Sequence, residues 1–479
     1  MSPASNPPVD ADLERLFQLH DRHPKEISII QQICQKYIAL GNVDELLPWT
    51  RKAFELAPFD PEFTVLHIQV LCLLADHQAA LEILSHSQLS QSNPLFYHFY
   101  LGQCLVGVGD IQEGCANLQH AHQLTSMDPA SYSNITLELA KAFLLAGDPE
   151  GFRHYLIRNA SDAFSYQIPG LPFWTGSEDL CQKRLLITNQ LGFGDQFLLF
   201  SCIQYWLEVY PGISIMVCCA AEVFELLKTS LPNVKCIAAH GPIGNYAPPN
   251  EPLMREIQAF APDFQITLLH LPMLAVHHRI PLGSFFRPYL RPSPSAQERA
   301  KAWAVTERQT YPKHLFVGIF WNCLSSGFEA AGAIARIWAR LRSLPDEAFQ
   351  QLIDHPQLLQ RIRLINLQLA LPPHAQSAVA QNALGIYPPL ESGSFDDTAA
   401  CIQELDLVIS ADSSVANLSA MLGKPTWVFV HQGCDWRWGS SQDHQSSKWL
   451  PDVQVFRQTQ THNWTDVMDA LISRLHSCT

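Results

Sequence analysis

The sequence predicts an α-solenoid followed by two Rossmann-like α/β domains that face a cleft. Prolines recur at a nearly constant spacing in the first third of the chain, and short apolar strands alternate with helices after residue 178. A segment with prolines and charges, 287–314, separates two runs of such strands. A chain of 479 residues is too long for one core, and its 47% hydrophobic content allows each domain to bury its own.

Residues 1–163 are predicted to form a helical repeat domain. Pro24, Pro58, Pro94 and Pro129 are separated by 34, 36 and 35 residues, with paired amphipathic patterns between them. A period near 34 is typical of tetratricopeptide (TPR) repeats, and we expect about four units with proline ending the second helix. Another α-solenoid of similar period fits the same pattern. Either array would offer a concave surface to a protein or glycan partner.

The rest of the chain is predicted to form two parallel sheets. The first domain, 179–295, has candidate strands at 184–190, 213–219, 234–239 and 264–270. The second domain, 313–479, has candidate strands at 315–321, 361–368, 405–410 and 426–431. Strands that alternate with helices form parallel sheets covered on both faces. Ligands then bind at the carboxyl ends of the strands, where the two sheets face each other.

Composition excludes several classes of protein. A formal net charge of −14 argues against general binding to nucleic acid or to anionic membranes. No apolar run approaches the ~18 residues of a membrane span, and the N-terminus lacks the pattern of a secretory signal. We therefore expect a soluble cytoplasmic protein without a transmembrane segment. The 13 cysteines contain no CxxC pair, so we expect reduced thiols and no metal site.

The first candidate motif is Leu191–Asp195, which leaves the first strand of the α/β region and opens a helix. Gly192 and Gly194 would permit a tight turn and a close approach of the backbone to a ligand. Asp195 fits two roles, and spacing alone favours the first of them. It can cap the helix, where the helix dipole favours a carboxylate, or it can act as a general base that faces the cleft.

The second candidate motif is Asp412-Ser413-Ser414, which joins an apolar strand to a helix. Backbone N–H groups at the start of such a helix converge and can bind phosphate. Capping by Asp412 or Ser413 is the simpler interpretation. The two roles are compatible, because a cap leaves other N–H groups available.

Basic and aromatic residues provide two further candidates. Arg342 and Ser343 follow the first strand of the second domain, where an arginine could neutralise a diphosphate leaving group. Arg336 and Arg340, nearby, equally fit a solvated helix face. The loop 432–438, together with Trp449 and Arg457, could stack a base or a sugar. Its tryptophans fit core anchors beneath the C-terminal helix at least as well.

The order of these motifs resembles that of the bacterial TPR-containing glycosyltransferases, relatives of the ADP-heptose:lipopolysaccharide heptosyltransferases. The resemblance rests on the repeats, on LGFGDQFLLF at 191–200, and on the long string at 395–458 that includes DSSVANLSAMLGKPTWVFV and DWRWG. It implies a GT-B fold with a nucleotide-sugar donor in the C-terminal half and an acceptor mainly on the N-terminal half. It also implies inverting transfer without an essential metal or cofactor.

The resemblance also implies roles for particular residues. Asp195 stands at the position of the family's proposed base, Asp412, Ser413 and Ser414 at its phosphate-proximal turn, and Arg342-Ser343 at its basic-serine element. Asn417 joins the donor-binding set where the family commonly has histidine. Gln190 stands where the family commonly has an acidic residue.

Three functional hypotheses follow. The leading one is a hexosyl- or heptosyltransferase-like enzyme that moves a sugar from a nucleotide-sugar to an acceptor hydroxyl, with the TPR array presenting the acceptor. The second is a non-catalytic interaction protein in which the GT-B part is a degenerate scaffold. The third is a GT-B epimerase or phosphorylase, because the same cleft could host either reaction.

Overall fold

The computed structural model describes residues 11–40, 42–58, 60–125, 129–159, 168–189, 191–239, 251–323, 333–371, 373–440 and 445–478. Gln190 and most of the loop after the first strand of the second domain lie outside the described residues. The chain divides into two compact units. One contains Met1–Asp128 and Ser326–Leu341, and the other contains Pro129–Ser325 and Arg342–Thr479.

The first unit consists of helices that pack as successive neighbours. They are α1 (Ala11–Arg22), α2 (Ile27–Leu40), α3 (Val43–Leu56), α4 (Pro61–Leu73), α5 (His77–His86), α6 (Leu89–Ser92), α7 (Pro94–Val108) and α8 (Ile111–Leu124). Asp76 and Asp110, 34 positions apart, each cap the second helix of a pair by accepting a backbone N–H three residues on. The TPR-like helical region is confirmed.

Pro58 lies two residues after the end of α3, as expected, but other prolines stand at the start of a helix. Pro94 is the first residue of α7 and follows Asn93, whose side chain caps that helix. Pro61 occupies the same position in α4, after the cap Asp60. Proline is favoured at the first helical position because its missing N–H would have no partner there. Pro61 and Pro94 therefore begin the first helix of a pair, whereas Pro58 follows the second helix of the preceding pair.

Close packing of the repeat helices depends on two glycines that face each other. A Cβ built at Gly102 of α7 would lie 2.8 Å from Cγ of Leu118 and 2.9 Å from the carbonyl oxygen of Gly114 on α8. A Cβ at Gly114 would in turn lie 2.6 Å from Cγ2 of Val106. Neither position has room for a side chain, so α7 and α8 approach closely at this point.

His67 is a buried titratable group of the first unit, with its Nδ1 3.0 Å from the hydroxyl oxygen of Thr50. Burial, reinforced by the charge of Arg51, lowers the pKa of His67 to about 4. The unfolded chain binds this proton near pH 6.5, whereas the folded chain binds it only near pH 4. Stability that is present above pH 6.5 is therefore lost as the pH falls towards 4.

We expect His67 to lower the free energy of unfolding by about 2 kcal/mol at pH 5 relative to pH 7.5. Urea unfolding followed by circular dichroism should show a smaller pH-dependent loss in His67→Gln, which retains a polar side chain at this position but does not titrate. An unchanged pH dependence in that variant would show that burial of His67 is not the cause.

The remaining helices are α9 (Pro129–Ala146), α10 (Gly151–Asn159), α11 (Phe193–Phe200), α12 (Ile203–Val209), α13 (Phe224–Ser230), α14 (Glu251–Phe260), α15 (Pro272–His277), α16 (Pro294–Thr310), α17 (Ala333–Arg342), α18 (Asp346–Ile353), α19 (Pro356–Leu359), α20 (Pro373–Ala380), α21 (Phe395–Glu404), α22 (Ser414–Met421) and α23 (Thr465–Cys478).

The division of the helices between the two units differs in two places from the predicted domain limits of 1–163, 179–295 and 313–479. Helices α9 and α10 belong to the second unit, and most of α17 belongs to the first. The physical reason for α17 is its apolar face, since Ile337 and Leu341 join the core of the repeat helices.

The second unit contains two all-parallel sheets. The first has the order β3-β2-β1-β4, with β1 (Arg184–Thr188), β2 (Ser214–Ala220), β3 (Val234–Ala239) and β4 (Phe264–Thr267). The second has the order β10-β9-β8-β5-β6-β7, with β5 (Leu315–Phe320), β6 (Ile362–Asn366), β7 (Leu384–Gly385), β8 (Leu407–Ala411), β9 (Thr426–Val430) and β10 (Val453–Arg457). The eight predicted strands are present. The edge strands β7 and β10 were not predicted.

Candidate functional site

Two helices that follow the carboxyl ends of strands meet in the second unit. α11 follows β1 of the first sheet, α22 follows β8 of the second, and the two helices pack together. A Cβ at Gly194 would lie 2.9 Å from Nδ2 of Asn417 and 3.5 Å from Cα of Ser414. The ring of Phe193 also lies 4.8 Å from the ring of Phe395 on α21. The loops at the carboxyl ends of both sheets therefore come together here.

The two glycines of the first motif have different roles. Gly192 is the N-cap of α11 with φ −66°, a conformation that any residue can adopt. Its added Cβ would come no closer than 3.7 Å to Oδ2 of Asp195. Gly194 has no such space, because Asn417 of the facing helix occupies it. Close contact between the two halves therefore requires glycine only at position 194.

Asp195 lies in the first turn of α11 and does not cap the helix, because Gly192 occupies the cap position. Its side chain is 29% exposed, and its Oδ1 accepts a hydrogen bond from Nη2 of Arg437. Among the described residues, Oδ2 of Asp195 has no hydrogen-bond partner. One oxygen is thus held by an arginine from the second sheet's loops, and the other remains available.

Arg437 was considered in the sequence only as part of a stacking loop. It lies in a short 3-10 helix, Trp436–Trp438, after β9, and its side chain is 11% exposed. Its Nη1 is 3.4 Å from Oδ1 of Asp435, and its guanidinium carbon is 5.0 Å from the centre of the Trp436 ring. No spacing in the sequence links Arg437 to Asp195, 242 residues away.

The charges around Arg437 form one cluster, which consists of Asp195, Asp412, Asp435 and Arg437. Burial of the guanidinium opposes its charge, but Asp435, Asp195 and Asp412 outweigh burial and raise the pKa of Arg437 above its usual value. Burial also raises the pKa of Asp435, while Arg437 acts in the opposite direction. This acid–arginine cluster therefore carries more negative than positive charge.

The turn predicted to bind phosphate begins α22, and the protein itself uses part of its hydrogen-bonding capacity. Ser413 is the N-cap of α22, and its hydroxyl accepts from the N–H groups of Val415 at 3.1 Å and Ala416 at 3.4 Å. Nδ2 of Asn417 donates to the carbonyl oxygen of Ser413 at 2.8 Å. In the described part of the chain, the N–H of Ser414 makes no hydrogen bond. The capping interpretation therefore holds for Ser413, and the amide that remains is that of Ser414.

Arg342 lies beside this turn, and Ser343 contacts the backbone that follows β5. Nη1 of Arg342 donates to the carbonyl oxygen of Asp412 at 3.3 Å. The hydroxyl of Ser343 accepts from the N–H of Cys323 at 2.8 Å, which fixes the loop that leaves β5. Gln368 supports the same loop by accepting from the backbone of Asn322 at 3.1 Å. Arg342 thus contacts the Asp412–Ser414 turn directly, whereas Ser343 contacts the backbone of the neighbouring loop.

The tryptophans of the C-terminal region anchor the core. Trp438 and Trp449 are fully buried, and Nε1 of Trp449 donates to the carbonyl oxygen of Leu144 at 2.9 Å. Arg457 donates to the carbonyl oxygens of Trp438 at 3.2 Å and Gly439 at 2.7 Å. These contacts attach the loop 432–439 to the core and help to position Arg437.

Helices α9 and α10, which the sequence analysis assigned to the repeats, add residues to the site. Tyr155 of α10 is half-buried, and burial together with the charge of Asp435 raises its pKa, against the effect of Arg437. Lys141 of α9 is close enough to lower the pKa of Asp435. The amphipathic pattern of α9 and α10 is like that of the repeat helices, so the sequence does not indicate that they belong with the sheets.

The second unit also contains a cavity of about 540 Å³ that includes Arg287, Lys424 and Asp452 in its lining. Lys424 lies two residues before β9, and Asp452 immediately precedes β10. The cavity therefore lies at the amino ends of these strands. It is distinct from the acid–arginine cluster, which lies at the carboxyl ends.

Comparison with known proteins agrees with this architecture. The family model of anaphase-promoting complex (cyclosome) subunit 3, ANAPC3, matches residues 39–121, within the repeat helices. The two parallel α/β halves that meet at their carboxyl ends form the remainder. The chain joins TPR-like repeats to a GT-B fold. Both parts of the predicted fold class are thereby confirmed.

One curated relative is Protein FlbA of Caulobacter vibrioides, with 25% identity over 432 residues. The match covers 85% of this chain, and the chain spans 65% of the length of FlbA. Among the described residues, no helix combines the length and apolarity needed to cross a bilayer.

Several solved structures are similar to parts of the chain. The glycosyl transferase family 9 structure from Veillonella parvula covers 63% of this chain and 98% of its own, with 13% identity and a TM-score of 0.45. ADP-heptose lps heptosyltransferase II of E. coli covers 61% of this chain and 99% of its own, with 13% identity and a TM-score of 0.42. The O-GlcNAc transferase of Thermobaculum terrenum covers 94% of this chain and 91% of its own, with 15% identity and a TM-score of 0.30.

Proposed function

We propose that this protein is a glycosyltransferase that moves a sugar from a nucleotide-sugar donor to an acceptor hydroxyl with inversion of configuration. The observation that supports the proposal is the contact between the first turns of α11 and α22. This contact brings Asp195, from the first sheet, close to the Asp412–Ser414 turn of the second sheet. A base and an anion seat on opposite walls are what an inverting transfer requires.

The donor diphosphate would bind at the amide of Ser414 with help from arginines. The acid–arginine cluster has three carboxylates and one guanidinium, so a diphosphate would be repelled unless further positive charge is present. Arg342, beside the Asp412 carbonyl, supplies that charge. Burial of Asp435 raises its pKa and further lessens the repulsion. The geometry therefore favours phosphates that approach from the side of Arg342.

In the chemical step, Oδ2 of Asp195 acts as the proton acceptor. The acceptor hydroxyl gives its proton to this oxygen while its own oxygen attacks the anomeric carbon from the face opposite the leaving group. The bond between that carbon and the diphosphate oxygen breaks, and the nucleoside diphosphate leaves with the electron pair. Arg437 donates to Oδ1, which leaves Oδ2 for the acceptor hydroxyl. No metal or cofactor is part of this proposal.

The acceptor and the compartment belong to the same proposal. We assign presentation of a protein or glycan acceptor to the TPR-like array, since such arrays offer extended binding surfaces. All 13 cysteines are without disulfides, which fits a reducing compartment and a cytoplasmic reaction.

A non-catalytic scaffold is the second candidate, and one observation favours it. Ser413 uses two amides of the phosphate seat, and Arg437 is already paired with Asp195 and Asp435. The site is thus largely satisfied by its own residues without a ligand. A scaffold of this kind would bind no nucleotide.

A thermal-shift panel separates the two candidates. We expect nucleoside diphosphates of one base, and their sugar conjugates, to raise the unfolding midpoint, because binding to the folded state stabilises it. Arg342→Met should weaken this binding by about tenfold or more, as expected for the loss of a charged hydrogen bond. Arg336→Met, on the exposed face of the same helix, is the matched control and should bind normally.

The same samples then test transfer. Incubation with the nucleotide-sugar that binds should release the nucleoside diphosphate, and the anomeric configuration of the product should be inverted. A panel in which no nucleotide shifts the midpoint would support the scaffold. Release of nucleotide with retained configuration would contradict the assigned mechanism.

A further inference from the structure

Two thiols and an imidazole come together inside the repeat unit. Cys72 of α4, His77 of α5 and Cys104 of α7 place one ligand atom each within 4.8 Å of the others. The two sulfur atoms are 3.4 Å apart. In the residues that the structure describes, this is the only group of three or more His, Cys, Asp or Glu side chains with such spacing. It lies wholly within the first unit and plays no part in the proposed transfer.

The turn between α4 and α5 brings the first two residues together. Ala75 has a left-handed φ of 59°, and the N–H of Asp76 donates to the carbonyl oxygen of Leu71 at 2.9 Å. This bond pattern ends a helix within a few residues, usually with glycine in the left-handed position. Because the turn is so short, His77 becomes the first residue of α5 and lies next to Cys72 near the end of α4.

Helix α7 supplies the third residue and the space for the imidazole. A Cβ at Gly107 would lie 2.2 Å from Cδ2 and 2.6 Å from Nε2 of His77. Gly107 is three positions after Cys104, so both lie on the same face of α7. Glycine is therefore required at position 107, because any side chain there would displace the imidazole from the two thiols.

The imidazole is buried with an unsatisfied nitrogen. His77 is 8% exposed, and its Nδ1 has no hydrogen-bond partner in the described part of the chain. Buried polar atoms in native proteins are nearly always satisfied, and an exception calls for a specific explanation. Cys104, beside it, is also fully buried. Thiolate sulfur and imidazole nitrogen are ligands that Zn²⁺ prefers in proteins.

We propose that Cys72, His77 and Cys104 bind one Zn²⁺ ion in the TPR-like array. Two thiolates at about 2.3 Å from a tetrahedral Zn²⁺ are about 3.8 Å apart, so the sulfurs need to separate by only a few tenths of an ångström. A disulfide would instead require them to approach to about 2.05 Å. Three protein ligands leave a fourth position for water or another ligand.

Sequence spacing hid this site. The ligands are separated by 5 and 27 residues (72 to 77, and 77 to 104) and come from three different helices. The absence of a CxxC pair had suggested that no metal site exists. Repeat stacking, rather than a local loop, brings these three side chains together.

The test uses the full chain, reduced and freed of metal, titrated with Co²⁺ and then Zn²⁺. We expect one equivalent of Co²⁺ to produce thiolate-to-cobalt absorption in the near ultraviolet and the visible bands of a tetrahedral ion, and Zn²⁺ to displace it. Cys72→Ser and His77→Gln should each weaken binding by more than about tenfold. Cys115→Ser, which changes another half-buried cysteine of the same unit, should bind as the parent does.

Two further measurements keep the outcome clear. Circular dichroism should show that Cys72→Ser is folded, and Zn²⁺ should raise the unfolding midpoint of the parent but not of this variant. Cobalt spectra that are the same in the parent and in folded Cys72→Ser would overturn the proposal. Mass spectrometry that finds a Cys72–Cys104 disulfide, with no metal bound after its reduction, would overturn it as well.

Discussion

Replacing Asp195 by Asn is expected to lower the rate of sugar transfer by ~10²–10⁴-fold while donor affinity stays nearly unchanged. Asparagine has almost the same shape, and its Oδ1 can still accept from Arg437. It cannot take a proton at the second oxygen, which is the atom that we assign to the acceptor hydroxyl. Steady-state rates and nucleotide affinity, measured on the same samples, separate these two effects.

Two other variants make this result specific. Glu208→Gln removes an exposed carboxylate from α12 and should leave the rate unchanged. Asp435→Asn removes the other carboxylate that pairs with Arg437 and should reduce the rate much less than Asp195→Asn. An equal loss in both would show that charge balance around Arg437, not proton transfer to Asp195, limits the reaction. A parent rate in Asp195→Asn would rule out the base assignment.

The strands and the helix starts could be predicted because their signals are local. The apolar runs at 184–188 and 407–411 are followed by glycine or serine turns, and such junctions are typical of parallel α/β sheets. The strand β7 could not be predicted in this way, since two residues are too few to show a period. Strand β10 was overlooked because its residues, 453–457, follow a loop and were considered only as part of a longer motif.

The contacts of the site could not be predicted, because they depend on packing between distant segments. Asp195 and Arg437 are 242 residues apart, and no pattern in either segment identifies the other. The steric role of Gly194 likewise exists only because Asn417 faces it. Helical periodicity also gave no reason to separate α9 and α10 from the repeats, although Tyr155 and Lys141 act on the cluster. Local pattern therefore predicts elements, while tertiary packing decides which of them share a site.

Replacing Arg437 by Met is expected to lower the free energy of unfolding by about 3 kcal/mol at pH 7.5. The guanidinium is 11% exposed, and its removal takes away the charge that stands against the carboxylates of Asp195, Asp412 and Asp435. The side chains of Asp195 and Asp435 are 29% and 30% exposed, so solvent moderates the loss and places it at the lower end of the range for broken ion pairs. Urea unfolding followed by tryptophan fluorescence measures the difference.

A double-mutant cycle shows whether repulsion between carboxylates causes the loss. Adding Asp195→Asn to Arg437→Met removes one of the unpaired charges and should restore about 1–2 kcal/mol. Arg474→Met, on the exposed face of α23, is the matched control and should change stability by less than about 0.5 kcal/mol. Strict additivity of the two substitutions in the cluster would show that they do not interact and would contradict the ion pair.

The pH dependence of Arg437→Met provides an independent check on the same cause. Burial already raises the pKa of Asp435, so this carboxyl group takes up a proton as the pH falls and relieves the repulsion in the variant. The stability difference between parent and Arg437→Met should therefore shrink as the pH is lowered from 7.5. A difference that stays constant over this range would indicate lost packing of the side chain on Trp436 as the cause, because packing does not titrate.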